Sequence, residues 1–369
     1  MNPDLVPCLI IIVAVTGAGW LAATLMPPTL QFGVRLPPDH TGEPIIGELR
    51  RLYRVGLLLG TLLAAAVTLA VSLTAPVGVI VVVAPVMSLI FTVGTYYLVH
   101  ARLARAKAAG DWYAGQHIGA AAAMPVHRSR RWLVWVVLAA AITVATAIIG
   151  ALDYSSMPAR LPMHFALDGT PNRFVDKSVL SVFWPVVVQA FLTGLLSAIV
   201  WSVEGSRFEV DPAAPAASFE RQRRFRDAMS GALGTLIVAL ATAFLLTSLA
   251  TWGVITNSRA VIPATVLVLA IVPALAVVVM AARMGAQGWR IGPQGTTVMA
   301  EASGAALVQR DDDQYWKGGL IYFNPDDPAY FVSKRFGVGW TMNFAHPVAW
   351  LFLLAPLAIV GLSIFASRA

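Results

Sequence analysis

Eight long runs without a charged or histidine residue constrain the fold of this chain more than any other feature. They fall at 5–26, 55–76, 78–99, 132–152, 179–203, 231–255, 260–282 and 347–366. Each is about 20 residues or longer, enough for an α-helix to cross roughly 30 Å of hydrocarbon. Backbone groups in lipid must be hydrogen-bonded within their own segment, so helices are expected. The runs predict an all-α polytopic membrane protein with about eight transmembrane helices.

The composition supports the same class. The chain is 58% hydrophobic and 12% charged, with a mean hydropathy of +0.73, whereas a soluble globular protein is about 25% charged. A net charge of +7 is then best explained by basic residues at a membrane surface, so the lipid bilayer is the expected partner and nucleic acid is not. The single Cys8 excludes an intramolecular disulfide, and no Cys/His spacing suits zinc.

Orientation follows from the distribution of lysine and arginine. With the N-terminus outside, the inner segments are 27–54, 100–131, 204–230 and 283–346, and they hold 21 of the 26 basic residues. The opposite orientation would reverse this ratio and is disfavoured by the positive-inside rule. We therefore expect both termini outside, and a long outer loop at residues 153–178.

The spans and loops divide the chain into five expected regions. Residues 1–130 hold the first three spans with basic inner loops, and 131–205 hold spans four and five with the outer loop. An inner linker and spans six and seven occupy 206–283. Residues 284–346 form a small cytoplasmic module, called the inner module below, and 347–369 hold the last span.

The outer loop contains the polar stretch PMHFALDGTPNRFVDK at 162–177. An extended piece is expected at 163–166, a turn at 167–171, and a helix cap at Asp176 or Ser178. His164 has three possible roles. It orders the loop with Asp168 or Asp176 as its partner, it lines a recognition site with Asp168, Asn172, Asp176 and Lys177, or it binds a metal. Metal binding is the least favoured, because a single His with two carboxylates makes a poor transition-metal site.

This stretch resembles the outer-loop signature of the SdpI-type toxin-immunity family of bacterial integral membrane proteins. Pro162, His164, Gly169 and Lys177 carry the resemblance. It implies a place in the bacterial cytoplasmic membrane, a peptide or envelope ligand outside and a cytoplasmic regulator inside. The ligand-binding residues expected in the outer loop are His164, Asp168, Gly169, Asn172, Asp176 and Lys177.

The inner module holds the second informative stretch, at 311–347. Asn324-Pro-Asp-Asp predicts a type I turn flanked by short strands at 320–323 and 329–332, and Gly337-Val-Gly339 predicts a further turn before a strand at 340–344. The expected fold is a small β-meander, with Lys334 and Arg335 near lipid headgroups. The three aspartates at 311–313 are interpreted as a solvated linker.

The stretch at 315–347 is also similar to an uncharacterised module found in bacterial membrane proteins beside the SdpI-type loop. The residues of interest here are Trp316, Asn324, Asp326, Asp327, Lys334, Arg335, Trp340 and Asn343. Two other inner segments are notable. The segment Gln31-Phe-Gly-Val-Arg35 shares the short sequence Phe-Gly-Val with the segment Arg335-Phe-Gly-Val-Gly339. An arginine cluster at 221–226 is expected to contact anionic lipid on a helix surface.

Three functions remain open from the sequence. The favoured one is a non-enzymatic immunity or sensing protein. One alternative is a transporter or flippase of a lipid-like or amphipathic substrate. The other is a membrane-embedded enzyme that acts on a lipid-linked substrate and uses His164 with Asp168 or Asp176 as an acid/base pair. The chain has no glycine-rich phosphate loop, G-x-S-x-G or H-E-x-x-H motif, so no cofactor, metal or catalytic residue is assigned.

The orientation can be tested with a cysteine placed in the outer loop. A Thr170→Cys protein should react with a membrane-impermeant thiol reagent in intact cells, because the positive-inside rule places residue 170 outside. Labelling that occurred only in inverted vesicles would reverse the orientation.

Overall fold

The fold was examined in a computed structural model, which describes residues 5–75, 77–116, 118–119, 130, 132–165, 170–206, 208, 214–255, 261–291 and 308–366. Eight α-helices occur in this part of the chain, and each coincides with one of the eight apolar runs. They are α1 (Leu5–Thr24), α2 (Pro44–Ser72), α3 (Val77–Ala109), α4 (Trp132–Leu152), α5 (Val179–Gly205), α6 (Pro215–Thr251), α7 (Val261–Met284) and α8 (Pro347–Ala366). The prediction of an all-α polytopic membrane protein is confirmed.

Length and hydropathy qualify the first seven helices as membrane-spanning, and α8 has 20 residues, none of them charged. No more than a third of each spanning segment is buried, and the leucines of α2 at 58, 59, 62 and 63 are exposed. In water such a surface would be an aggregation hazard, whereas in lipid it is the expected outer face. The helices α2, α3 and α6 also extend beyond their apolar runs into charged sequence.

The chain forms two compact units. The first comprises Met1–Met124, Arg207–Gln222 and Ala282–His346, and the second comprises Pro125–Ser206, Arg223–Ala281 and Pro347–Ala369. In the first unit α1, α2 and α3 pack against one another. A Cβ atom at Gly56 would come within 2.5 Å of Thr95, and one at Gly60 within 2.6 Å of Phe91. The small-xxx-small pattern in α2 therefore permits close approach of α3.

The second unit contains a buried polar contact between spanning helices. Gln189 of α5 is almost fully buried, and its side-chain amide donates hydrogen bonds to Thr146 Oγ1 of α4 at 3.3 Å and to the Ala241 carbonyl of α6 at 3.1 Å. Such bonds typically contribute about 0.6 kcal/mol each between helices in a membrane. They fix the register of the three helices.

Ten short strands form five two-stranded sheets in the described residues. The strands are β1 (Leu30–Gln31), β2 (Val34–Arg35), β3 (Ile118–Gly119), β4 (Arg160–Phe165), β5 (Pro171–Asp176), β6 (Val308–Gln309), β7 (Trp316–Lys317), β8 (Ile321–Tyr322), β9 (Phe331–Ser333) and β10 (Trp340–Met342). β3 and β6 pair in parallel, and the other sheets are antiparallel hairpins of consecutive strands.

The hairpins of the inner module differ in part from the expected meander. The strand before the Asn324 turn was expected to face the strand after it, but β8 pairs with β7 and β9 pairs with β10. The reason is local. Gly318 and Gly319 both have positive φ, at +59° and +71°, and reverse the chain immediately after β7. The turn expected at 337–339 is confirmed, because it joins β9 to β10.

The two Phe-Gly-Val stretches meet in the core of the first unit. The Phe32 and Phe336 rings stack with centroids 6.3 Å apart, and Phe336 also lies 4.5 Å from the Tyr96 ring. Gly33 has a φ of +78°, and a Cβ atom there would lie 2.7 Å from the Gly319 Cα. The sequence shared by the two segments therefore marks two loops whose phenylalanine rings pack on each other, while the backbone of Gly33 contacts the Gly318–Gly319 turn.

Candidate functional site

The Asn324 turn is held by its own side chains. The Asp326 amide donates to Asn324 Oδ1 at 3.1 Å, and the Ala329 amide donates to Asp327 Oδ1 at 3.0 Å. Asn and Asp commonly close turns in this way. Tyr322 adds a third contact, donating from its hydroxyl to Asp327 Oδ2 at 2.8 Å.

Asn343 joins this turn to the end of the inner module. Its side chain is fully buried, and its Oδ1 accepts from the amides of Asn324 at 3.0 Å and Ala345 at 3.2 Å. Its Nδ2 donates to the carbonyls of Asn324 at 2.7 Å and Asp327 at 3.2 Å. Every donor and acceptor of the amide is therefore used. The structure brings Asn324, Asp327 and Asn343 together, and their contacts are those of a folded core.

The three aspartates at 311–313 are not a solvated linker; that expectation was wrong. They form a cluster, called the carboxylate cluster here, that binds three cations from distant parts of the sequence. Arg335 donates to Asp312 and Asp313, and Arg35 Nε donates to Asp312 Oδ1 at 2.8 Å. Lys107 Nζ at the end of α3 lies 2.6 Å from Asp311 Oδ2 and 2.7 Å from Asp313 Oδ2.

The cations keep Asp312 and Asp313 ionised. Burial alone would raise the pKa of Asp312, but the nearby charges of Arg35 and Arg335 hold that pKa below its usual value. The same holds for Asp313, where burial is outweighed by Arg335 and Lys107. Three carboxylates and three cations therefore balance one another at neutral pH.

Arg335 is the central cation of this network. Its side chain is 1% exposed, it lies 5.1 Å from the Trp316 ring, and it donates to the Gly33 carbonyl at 3.3 Å. The expectation that Arg335 lies near lipid headgroups was wrong, because its charge is compensated inside the protein. The neighbouring Lys334 is exposed, as is Asp326, and Trp340 is half-buried.

A second buried cation was also misjudged from the sequence. Arg226 was expected on a lipid-facing surface with the rest of the arginine cluster, but its side chain is only 2% exposed in the second unit. It donates to the Glu204 carbonyl at 3.2 Å, and its Nε lies 4.0 Å from the Glu204 carboxylate. The charge of Arg226 therefore lies beside an acidic side chain inside the protein and does not require contact with lipid.

In the outer loop, β4 and β5 form a ribbon, called the outer hairpin here. Lys177 follows it, and its ammonium donates to the carbonyls of Tyr154 at 3.2 Å and Met157 at 3.0 Å. Ser178 then caps α5 in a reciprocal arrangement with Ser181, which confirms the expected cap. These contacts anchor the base of the hairpin to the adjoining helix ends.

The other predicted residues of the outer loop are placed in part. Asp176 is exposed and lies 3.7 Å from Arg160. The backbone of His164 pairs with that of Arg173 across the hairpin, and Asn172 lies in β5. The side chains of His164 and Asn172, and all of Asp168 and Gly169, lie outside the described part of the chain. The proposed roles of these four residues stay predictions.

The outer hairpin exposes apolar side chains beside charged ones. Met163 is 36% and Phe174 43% exposed, and the Arg160 guanidinium lies 5.9 Å from the Phe174 ring. Among the described residues, no group of three His, Cys, Asp or Glu is placed to hold a metal ion. The hairpin therefore exposes an amphipathic surface.

Two segments of the chain match families of unknown function. Residues 141–188 match a domain of unknown function (DUF1648), and residues 325–350 match a family of unknown function (DUF5808). The first covers most of α4, the outer loop and the start of α5, and the second covers the end of the inner module and the start of α8. No curated protein and no solved structure matches the chain. The matches are consistent with an uncharacterised family of membrane proteins.

The role of Arg335 can be tested against its neighbour. Arg335→Met should destabilise the first unit by about 3 kcal/mol, because it leaves the half-buried carboxylates of Asp312 and Asp313 without their central cation. The measurement is thermal unfolding of the purified protein in detergent. Lys334→Met is the matched control and should change little, since Lys334 is exposed. Equal effects of the two substitutions would contradict the network.

Proposed function

We propose that this chain is a non-enzymatic sensing or immunity protein of the bacterial cytoplasmic membrane. In this proposal the outer hairpin recognises an amphipathic peptide or another envelope ligand, and the inner module contacts a cytoplasmic regulator. The observation that carries it is the exposed amphipathic surface of the hairpin, where Met163 and Phe174 lie beside Arg160.

The anchoring of the hairpin supports this role. The Lys177 ammonium bonds two backbone carbonyls, and the Ser178 cap begins α5 directly after the hairpin. A surface fixed in this way loses little conformational freedom when a ligand binds. Exposed aromatic side chains with neighbouring charges are common anchors in peptide recognition. The likeness of this loop to the SdpI-type signature points to the same class of ligand.

The inner module supports the second half of the proposal. Its fold is tied to α3 by Lys107 and to the loop before α2 by Arg35. It nevertheless exposes Phe323, Tyr330 and Lys334. A folded element with exposed aromatic residues is suited to a protein partner.

The recognition role can be tested in cells that lack the gene. Such cells should be more sensitive to at least one member of a broad panel of amphipathic antimicrobial peptides, and wild-type protein should restore resistance. Phe174→Ser should fail to restore it, with the minimum inhibitory concentration reduced about tenfold, equivalent to about 1.4 kcal/mol of binding. Val254→Ser is the matched control, because Val254 is similarly exposed and follows the end of α6 that the charge distribution predicts to face outside.

Protein levels in the membrane must be compared for both variants. The proposal predicts that Phe174→Ser accumulates normally, since it removes an exposed side chain. Unchanged resistance of the deletion strain across the whole panel would argue against an immunity role.

A further inference from the structure

A cavity of about 290 Å³ lies in the first unit, between the end of α1, the start of α2 and the segment after α7. It is partly open, and its lining includes Trp20, Arg50, Arg54, Trp289 and Arg290. Aromatic residues beside arginines at the ends of spanning helices are typical of the membrane interface. The cavity therefore combines apolar walls with three positive charges.

In the part of the chain that the structure describes, the three guanidinium groups are not compensated by acidic side chains. Within the described residues no carboxylate lies within 4.0 Å of Arg50, Arg54 or Arg290. Arg50 Nε donates to the Gln31 side-chain oxygen at 3.1 Å, which is a neutral acceptor. This contrasts with the carboxylate cluster, where every cation has an anionic partner. Like charges gathered around one cavity repel one another unless an anion binds between them.

Arg290 and Trp289 are held in place by backbone carbonyls. Arg290 donates to the carbonyls of Ala282 at 2.8 Å and Thr24 at 2.7 Å, and Trp289 Nε1 donates to the Leu25 carbonyl at 2.7 Å. One side of the cavity is thus pre-organised. On the other side, the Arg54 guanidinium lies 5.6 Å from the Trp20 ring and makes no hydrogen bond to any residue that the structure describes.

We propose that this cavity binds the phosphate-bearing headgroup of an anionic membrane lipid. Arginine guanidiniums are the preferred partners of phosphate oxygens, because their paired N–H groups match phosphate geometry. The tryptophans and the apolar walls suit the glycerol and upper acyl region, which a free phosphate ion lacks. The positive-inside rule places these helix ends on the cytoplasmic side, where anionic lipids attract basic residues. This site is independent of the outer hairpin and of the proposed function.

The test is a lipid titration of the purified full-length protein in detergent, followed by native mass spectrometry. Phosphatidylglycerol should bind more tightly than phosphatidylcholine. Arg54→Gln should weaken phosphatidylglycerol binding about tenfold, since it removes a charge-assisted contact. Arg51→Gln is the matched control, because it removes one charge from the same helix outside the cavity lining. Its effect should be within about twofold.

Thermal unfolding without added lipid shows whether each variant is folded. Arg54→Lys should bind phosphatidylglycerol with intermediate affinity, because it keeps the positive charge but loses the paired N–H donors of the guanidinium group. Equal loss of binding for Arg54→Gln and Arg51→Gln would overturn the site and indicate diffuse electrostatic attraction. Equal binding of the two lipids would also overturn it. Displacement of the lipid by inorganic phosphate at the same concentration would assign the cavity to a soluble anion instead.

Discussion

A buried charge is costly unless it has a partner, and the first unit is organised around this constraint. Because Arg335 is enclosed by the protein, its positive charge requires nearby anions. The carboxylate cluster supplies them. The same cluster binds Arg35 and Lys107, which lie 277 and 206 residues away from their aspartate partners. The ionic network thereby joins the loop before α2, the end of α3 and the inner module.

The separation between partners explains which features the sequence could reveal. The spans, the Gly337–Gly339 turn and the Ser178 cap depend on local pattern, and each was predicted from neighbouring residues. The carboxylate cluster depends on residues hundreds of positions apart. Three consecutive aspartates look the same in a solvated linker and in a buried network, and nothing near them in the chain distinguishes the two.

One sequence signal did point towards the network. The Phe-Gly-Val stretches that begin at Phe32 and Phe336 each adjoin an arginine, and both arginines bind Asp312. The shared Phe-Gly-Val sequence is too short to identify a repeat, yet it marks two loops that pack together. The cavity arginines gave no such signal, because Arg50 and Arg54 look like ordinary positive-inside residues until the structure places them around one cavity.

The central claim is that the carboxylate cluster makes the loop at 29–36 and the inner module one cooperative structure. Hydrogen exchange measured by mass spectrometry on an Asp313→Asn protein tests it most directly. The account predicts that peptides from 29–36 and from 316–335 lose protection together, while peptides from α1 and α2 keep it. If 29–36 exchanged as slowly as in the unsubstituted protein while 316–335 opened, the two segments would be independent and the account would be contradicted.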